Sequence, residues 1–410
     1  MSVIATNAAR VLARPVAPAV PLCEPAIRGN AWQYVKDCLD TGWVSSVGAY
    51  VDRFEREMAE VAGTAHAIAT TNGTAALHAA LLVAGVEPDD EVLVSTLTFI
   101  APANAIRYAG AWPVFIDAEP DYWQMDVARA IDFLNTECTW RHGALYDRRT
   151  GRCVRAVLPV HILGHPVDMD PLLEAARGYG LAVIEDATES LGARYHNRRV
   201  GALGDLACFS FNGNKLITTG GGGMIVTDDD DRAQMARYLT TQAKDDPVEF
   251  VHGCVGFNYR LTNIQAALGV SQVEQLRAYL AAKHRIAATY DAALGDVPGI
   301  TPMREATWAS SAKWMYAVLV DEARFGMSSR ALLRFLADRQ IQTRPLWQPI
   351  HRSLAHRDAR PMECPVAERV NRDALCLPCS VGLTEEQQSR VIEAVREAYG
   401  TGRVVGGALQ

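Results

Sequence analysis

Residues 91–118 read EVLVSTLTFIAPANAIRYAGAWPVFIDA. Three segments follow one another there. EVLVS (91–95) is a short apolar run after the turn-forming Pro88-Asp89-Asp90, the pattern of a buried strand. FIAPANAIRYAG reads as a helix that stops at Gly110. PVFIDA (113–118) is a second buried strand. A strand, a helix and another strand in so few residues indicate a parallel sheet with helices packed on it. The alternation extends both ways. Upstream, VDRFEREMAEVA (51–62) and TAALHAALLVAG (74–85) read as helices, the second starting at Thr74 and stopping at Gly85. Downstream, after a polar stretch at 141–152, come VRAVLPVHI (154–162) as a strand, DPLLEAARGYG (170–180) as a helix and LAVIED (181–186) as a strand. LACFSF (206–211) and GMIVTD (223–228) complete the set.

From residue 264 the character changes. Residues 264–294 form one long helical stretch with few breakers, followed by a strand in KWMYAVLV (313–320) and helices at 328–340 and 384–400, the last with Thr384 as its N-cap. The chain has 410 residues, more than one hydrophobic core of roughly 250–300 residues accommodates. The expected organisation is an α/β domain over 21–275, mostly parallel, and a smaller α+β domain over 276–402. The N-terminal MSVIATNAARVLARPVAPAVPL is broken by Arg10 and Arg14, which makes it a poor signal peptide, and residues 1–20 read as a tail.

Apolar residues make up 49% of the chain and charged residues 21%, the mixture of an ordinary globular protein. The net charge of −7 argues against a chain-wide footprint for nucleic acid. No apolar run approaches the ~20 residues of a membrane span. The nine cysteines are scattered and odd in number, which is no disulfide framework and fits a reducing cytoplasm. Cys376-Leu-Pro-Cys379 lacks the second pair a zinc site needs, so packing is the simpler reading and no metal is expected.

Four features carry chemistry. Asn72-Gly73-Thr74 precedes a helix, where free amides attract an anion, although the same residues cap helices with no ligand. Asp186 closes a strand at the end where open α/β sheets bind ligands; a turn or capping aspartate would look the same. Lys215 follows the strand LACFSF and precedes Gly220–Gly223. A lysine desolvated in a tight pocket can form a Schiff base. The fourth feature is order: anchor, Asp186, then Lys215 29 positions on, with one strand expected between them. A lysine for the aldehyde, an acid for the ring nitrogen and a phosphate anchor are what pyridoxal 5'-phosphate requires.

The stretches TNGTAALHAALLVAGVEPDDEVLVSTLTF, VIEDATESLGARY, SFNGNKLITTGGGG, GFNYRLTNIQAALG, RPLWQPIH and LCLPCSVGLTEEQ resemble the DegT/StrS family of sugar aminotransferases. The resemblance implies pyridoxal-phosphate fold type I, as in aspartate aminotransferase, and a homodimer with active sites at the subunit interface. It implies Lys215 as the Schiff-base lysine and Asp186 as the partner of the pyridine nitrogen. It places Phe99 against the cofactor ring, Gly73, Thr74 and Ser210 at its phosphate, and Glu189 beside its phenolic oxygen, where many members have Gln. Asn258 of GFNYR would reach the phosphate of the other subunit, with Arg260 as a second candidate. His161, His165, Trp347 and His351 stay open between pocket lining and packing.

The variants SFNGNK, TTGGGG and TTQAKDDPVEF are similar to a sub-branch acting on UDP-linked 4-keto-6-deoxy-N-acetylhexosamines, which feeds bacillosamine- and legionaminic-type sugars. The implied reaction moves an amino group from L-glutamate to the sugar's C4 keto carbon. GDP-4-keto-6-deoxymannose, the perosamine-type substrate, is the alternative. Two further rivals are dehydratase relatives, which carry His in place of the lysine, and a regulatory homologue that binds a sugar nucleotide without turnover.

Overall fold

The computed structural model describes residues 19–246 and 248–406. The expected tail over 1–20 therefore lies outside the described residues, apart from Ala19 and Val20. The first helices, α1 (Ala31–Thr41) and α2 (Ala49–Ala62), pack on the helix Asn263–Val273. The chain then enters a nine-stranded sheet. Its strands are β1 (His66–Thr70), β2 (Glu91–Ser95), β3 (Trp112–Ile116), β4 (Cys138–Arg141), β5 (Ala144–Asp147), β6 (Cys153–Leu158) and β7 (Ala182–Asp186). The short β8 (Arg194–Tyr195) and β9 (Arg198–Arg199) form a hairpin outside this sheet, and β10 (Leu206–Ser210) and β11 (Gly223–Thr227) return to it. The main path runs β1-β11-β10-β7-β6-β2-β3. β11 pairs antiparallel on both sides, while β10, β7, β6, β2 and β3 are mutually parallel. Each of these strands is an almost unbroken run of buried side chains, as expected when helices cover both faces.

Helices α3 (Gly73–Val83) and α4 (Ala101–Tyr108) follow β1 and β2. α3 starts one residue before the expected Thr74. Its N-cap is Asn72, whose Oδ1 accepts from the Ala75 amide at 2.8 Å. An Asx side chain is the stronger cap, which moves the first helical residue to Gly73.

Three other sequence readings need correcting. The polar stretch after residue 140 holds a β4–β5 hairpin, closed by His142 and Gly143, both at positive φ; that is the backbone of a two-residue hairpin turn. The segment between Asp186 and Lys215 contains the β8–β9 hairpin as well as β10. The long helical stretch is two helices, Asn263–Val273 and Leu276–Leu294, divided at Glu274 and Gln275.

Beyond the second of these helices lies a three-stranded antiparallel sheet of Ile300–Pro302, Tyr316–Val320 and Ala374–Leu377. Thr384 caps the final helix, Glu385–Gly406, and exchanges hydrogen bonds with Gln387. A strap at residues 20–26 ties distant parts together. Val20 exchanges backbone hydrogen bonds with Gln340 and Gln342, and the Leu22 carbonyl accepts from the Cys379 amide at 2.8 Å. The Ala26 carbonyl accepts from Gln272 Nε2 and the Tyr279 hydroxyl. Beneath the strap, the buried Lys283 ammonium donates to the carbonyls of Trp314 (2.7 Å) and Cys379 (2.5 Å). Cys376 and Cys379 are buried, and all nine cysteines are free thiols. Among the described residues, no group of three or more His, Cys, Asp or Glu could hold a metal ion. No described helix is long and apolar enough to cross a membrane.

Candidate active site

The parallel strands end together along one edge of the sheet, and a cleft of about 390 Å³ opens there. Seven of the eight sequence-derived site residues line it: Gly73, Thr74, Phe99, Asp186, Glu189, Ser210 and Lys215. Asp186 and Ser210 are the last residues of β7 and β10, and Phe99 follows β2 by four positions. The strand ends thus bring together residues more than a hundred positions apart.

The anion end is the first turn of α3. The amides of Gly73 and Thr74 have no acceptor within the helix, and the helix start favours negative charge. A Cβ on Gly73 would lie 2.9 Å from Ser210 Cβ, so glycine is what allows the helix start to lie against β10. The Asp186 carboxylate is buried and accepts from the Thr188 amide at 3.1 Å. Burial pushes its pKa up, opposed by hydrogen bonds from Thr188 and the charge of Lys215. A cationic ring nitrogen at this carboxylate would supply the counter-charge it lacks.

Lys215 Nζ lies 3.4 Å from Glu189 Oε1 and 4.2 Å from the centroid of the Trp314 ring. Its loop is held by its own amide on the Asn212 carbonyl and by Trp314 Nε1 on the Asn214 carbonyl. The other oxygen of Glu189 accepts from the Leu163 amide at 2.8 Å. Burial raises the Glu189 pKa and Lys215 opposes the rise. The residues present fit pyridoxal phosphate: an anion cradle, a buried carboxylate, a lysine at the cleft wall and an aromatic face at Phe99 bound a single space.

Asn258 does not line its own chain's cleft; it is exposed, with its backbone bridged to Thr241. Arg260 is committed elsewhere, with Nη1 2.7 Å from Glu55 and 3.1 Å from the Ala69 carbonyl. Two of the three open histidines, His161 and His165, are buried and hydrogen-bonded within the fold. His161 Nδ1 accepts from the Val167 amide, so its proton sits on Nε2 and is donated to Glu185. His165 bonds the Pro166 carbonyl and the Ala306 amide; burial lowers its pKa to about 4. Trp347 lines the cleft, whereas His351 bonds Thr96 and Glu368. Sequence reasoning missed Trp314, Asn214 and Arg344 in the cleft wall. The adjacency of Asn214 to Lys215, and the Arg-Pro-Leu-Trp run at 344–347, were the available signals.

The sequence profile of the DegT/DnrJ/EryC1/StrS aminotransferase family matches residues 25–396. The chain belongs to this family. The aminotransferase is 41% identical over 381 residues to a GDP-perosamine synthase of Caulobacter vibrioides, covering 92% of this chain and 98% of that one. It is 35% identical to a GDP-perosamine synthase of Escherichia coli O157:H7, covering 93% and 98%. Among solved structures it superposes on S. venezuelae DesV, captured with a ketimine intermediate, with a TM-score of 0.83 and 31% identity, covering 93% and 99%. The aminotransferase therefore has pyridoxal-phosphate fold type I and uses that cofactor.

Proposed function

We propose that the protein transfers an amino group from L-glutamate to the C4 keto carbon of GDP-4-keto-6-deoxymannose, giving a perosamine-type sugar nucleotide for surface glycan synthesis. The names of the relatives at 41% and 35% identity support the GDP-linked sugar over the UDP-linked N-acetylhexosamine expected from the motif variants. The observation that carries amino transfer itself is the placement of Lys215 Nζ in a cleft that also holds the buried Asp186 carboxylate and the open amides of α3. In this reading Gly73, Thr74 and Ser210 hold the phosphate, and Phe99 covers one face of the ring.

Pyridoxal phosphate, when bound, supplies a conjugated electron sink. The chain's own residues do the rest. Asp186 keeps a proton on the pyridine nitrogen, which sustains the sink. Lys215 Nζ would take the proton from the donor's α-carbon and deliver it to the carbon on the far side of the shared nitrogen, and would reverse this for the sugar. Such positioned proton transfer contributes about 10²–10⁴-fold. Glu189, with its raised pKa and its tie to the Leu163 amide, is set to share a proton with the phenolic oxygen.

The active unit in this reading is a cytoplasmic homodimer with Asn258 completing the partner's phosphate site. Support comes from exposed apolar side chains in two segments, Trp32, Leu39, Trp43 and Val47 in one, Val248, Phe250, Val251 and Val255 in the other. Such surface in a monomer marks an interface.

The test is a panel of GDP- and UDP-linked 4-keto-6-deoxy sugars supplied with L-glutamate and read by mass spectrometry. The expected product is the 4-amino sugar from the GDP-linked substrate. Product from the UDP-linked N-acetyl sugar alone would restore the motif-based expectation. No product, with no bleaching of the visible cofactor band by glutamate, would overturn amino transfer.

A further inference from the structure

Under the strap lies a cluster that amino transfer does not use. Cys23, in the strap, and Cys379, beyond the last strand of the small sheet, meet at one cation. Lys283 Nζ stands 4.0 Å from Cys23 Sγ and 3.7 Å from Cys379 Sγ, and the Cys23 thiol hydrogen-bonds the Cys379 sulfur. The two backbones run side by side. The Leu22 carbonyl accepts from the Cys379 amide at 2.8 Å, and the Glu24 amide donates to Ser380 Oγ at 2.9 Å. A disulfide needs Cα atoms within about 7 Å and side chains that face each other. Paired backbones with both sulfurs on one ammonium meet that need.

The two thiols differ in access and in acidity. Cys379 is 1% exposed. Cys23 is half-buried and lines a side cavity of about 170 Å³, which adjoins the cleft and shares Asn214, Trp314 and Trp347 with it. That space admits a molecule little larger than water, whose own volume is ~30 Å³. The hydrogen bond from Cys23 and the charge of Lys283 hold the Cys379 thiol below its usual range, against the effect of burial. The same hydrogen bond, with burial, keeps Cys23 protonated. The pair therefore combines a reachable thiol with a thiolate placed to take its proton, which is how a sulfur nucleophile is activated.

We propose that Cys23 and Cys379 are a redox-active dithiol, which hydrogen peroxide entering the side cavity converts to a disulfide that clasps the strap to the small domain. This inference does not rest on the amino-transfer reading. Cys23 sulfur attacks one peroxide oxygen and the O–O bond breaks. The thiol proton, passed through Cys379, leaves with the departing hydroxide as water, and Cys23 becomes a sulfenic acid. Cys379 sulfur then attacks Cys23 sulfur, the S–O bond breaks, and hydroxide departs to take a proton from solvent. Both sulfurs are oxidised, and peroxide is reduced to water. A thiol such as glutathione reverses the bridge by exchange, as a reducing compartment requires. The bridge closes a loop of almost the whole described chain, where cross-linking restricts the unfolded state most.

The experiment treats reduced holoenzyme with hydrogen peroxide in steps, blocks free thiols with iodoacetamide and maps peptides without reduction. Expected is a peptide pair joined through Cys23 and Cys379 that dithiothreitol separates, with a thermal midpoint higher in the bridged protein than in the reduced one. Cys379→Ser forms no bridge, and dimedone then labels Cys23 as a sulfenic acid about 10-fold more slowly than the wild-type bridge forms, since a serine hydroxyl is no base. In Cys23→Ser, Cys379 stays unoxidised. A bridge between Cys376 and Cys379, over-oxidation of Cys23 without a bridge, or no reaction at either thiol overturns the proposal. A bridged protein with a lowered midpoint also overturns it, because the bond would then form in an opened strap and not in the fold. Oxidation of Cys379 in Cys23→Ser would overturn Cys23 as the attacking sulfur.

Discussion

At Asp186 an amide removes a charge without changing the side chain's shape. Asp186→Asn is expected to fold normally, since the Thr188 amide still finds Oδ1, and to lose about 10²–10⁴-fold in kcat/KM with no lowering of the thermal midpoint. Near wild-type turnover would contradict its role at the ring nitrogen. Borohydride should fix the cofactor to a peptide containing Lys215, and a label on any other lysine would reassign the site. A third residue concerns stability alone. Glu91 is fully buried at the start of β2, neither of its oxygens finds a hydrogen bond, and Arg152 is 3.9 Å away. Burial pushes its pKa up to about 7. Below pH ~4.5 both folded and unfolded chains hold this proton. Between there and pH 7 the unfolded chain releases it first, so the folded state binds more protons and stability falls as pH rises. Glu91→Gln should flatten that fall, recovering about 2–3 kcal/mol at pH 8 and little at pH 4. Urea titrations at the two pH values measure it, and equal effects at both would reject the buried neutral acid. Lys215 and Asp186 were legible in the sequence because a strand end and a glycine run announce them. Arg344 offered only its Arg-Pro-Leu-Trp run, because lining a cleft built from distant segments is a property of space and not of neighbours in the chain.

At the scale of elements, the close approach of α3 to the start of β11 decides the shape of the anion cradle. A Cβ on Gly223 would stand 2.5 Å from the Asn72 carbonyl carbon and oxygen and 2.7 Å from the Gly73 nitrogen. These are backbone atoms that cannot rotate away. A Cβ on Gly221, in the same run, meets only Gln265 Nε2 at 3.8 Å. Gly223→Ala should therefore cost about 1–3 kcal/mol and loosen cofactor retention on dialysis, while Gly221→Ala leaves both near wild type. Equal behaviour of the two would remove the steric account. The four glycines were visible in the sequence, but not which of them the fold depends on. The strands β2, β3, β7, β10 and β11 were legible because near-complete burial makes each a largely apolar run. The β4–β5 hairpin was hidden by exposed polar residues, Arg141 and His142 among them, and by a His-Gly turn in place of the familiar Asn-Gly. The break at Glu274–Gln275 carries neither Gly nor Pro, so periodicity ran straight through it.

For the whole molecule, the proposed dimer with shared sites has a direct consequence. Lys215→Ala and Asn258→Ala subunits, unfolded and refolded together, should recover activity, because half the sites in a mixed dimer would contain neither lesion. Activity that stays at the sum of the parents would mean that each subunit's site is self-contained. The test needs an Asn258 variant impaired by more than the ~1.5–3 kcal/mol of one charge-assisted hydrogen bond, and Asn258→Asp, which sets a negative charge against the phosphate, serves where alanine does not. The alternation of helix and strand was enough to read the class of fold. The strap at 20–26 was not readable, since nothing in its local sequence names partners at 340–342 and 379.

That strap also sets a timetable. Glu24 hydrogen-bonds Ser380, 356 positions later in the chain. A ribosome adding ~5–20 residues per second takes roughly 20–70 s to cover that distance. Val20 and Leu22 are among the first described residues to be synthesised, yet they find their buried places only when the last strand of the small sheet has left the exit tunnel. Until then they are apolar surface on a nascent chain, open to a chaperone and to other nascent chains. A message cut short before codon 340 would yield a polypeptide whose beginning has nowhere to dock.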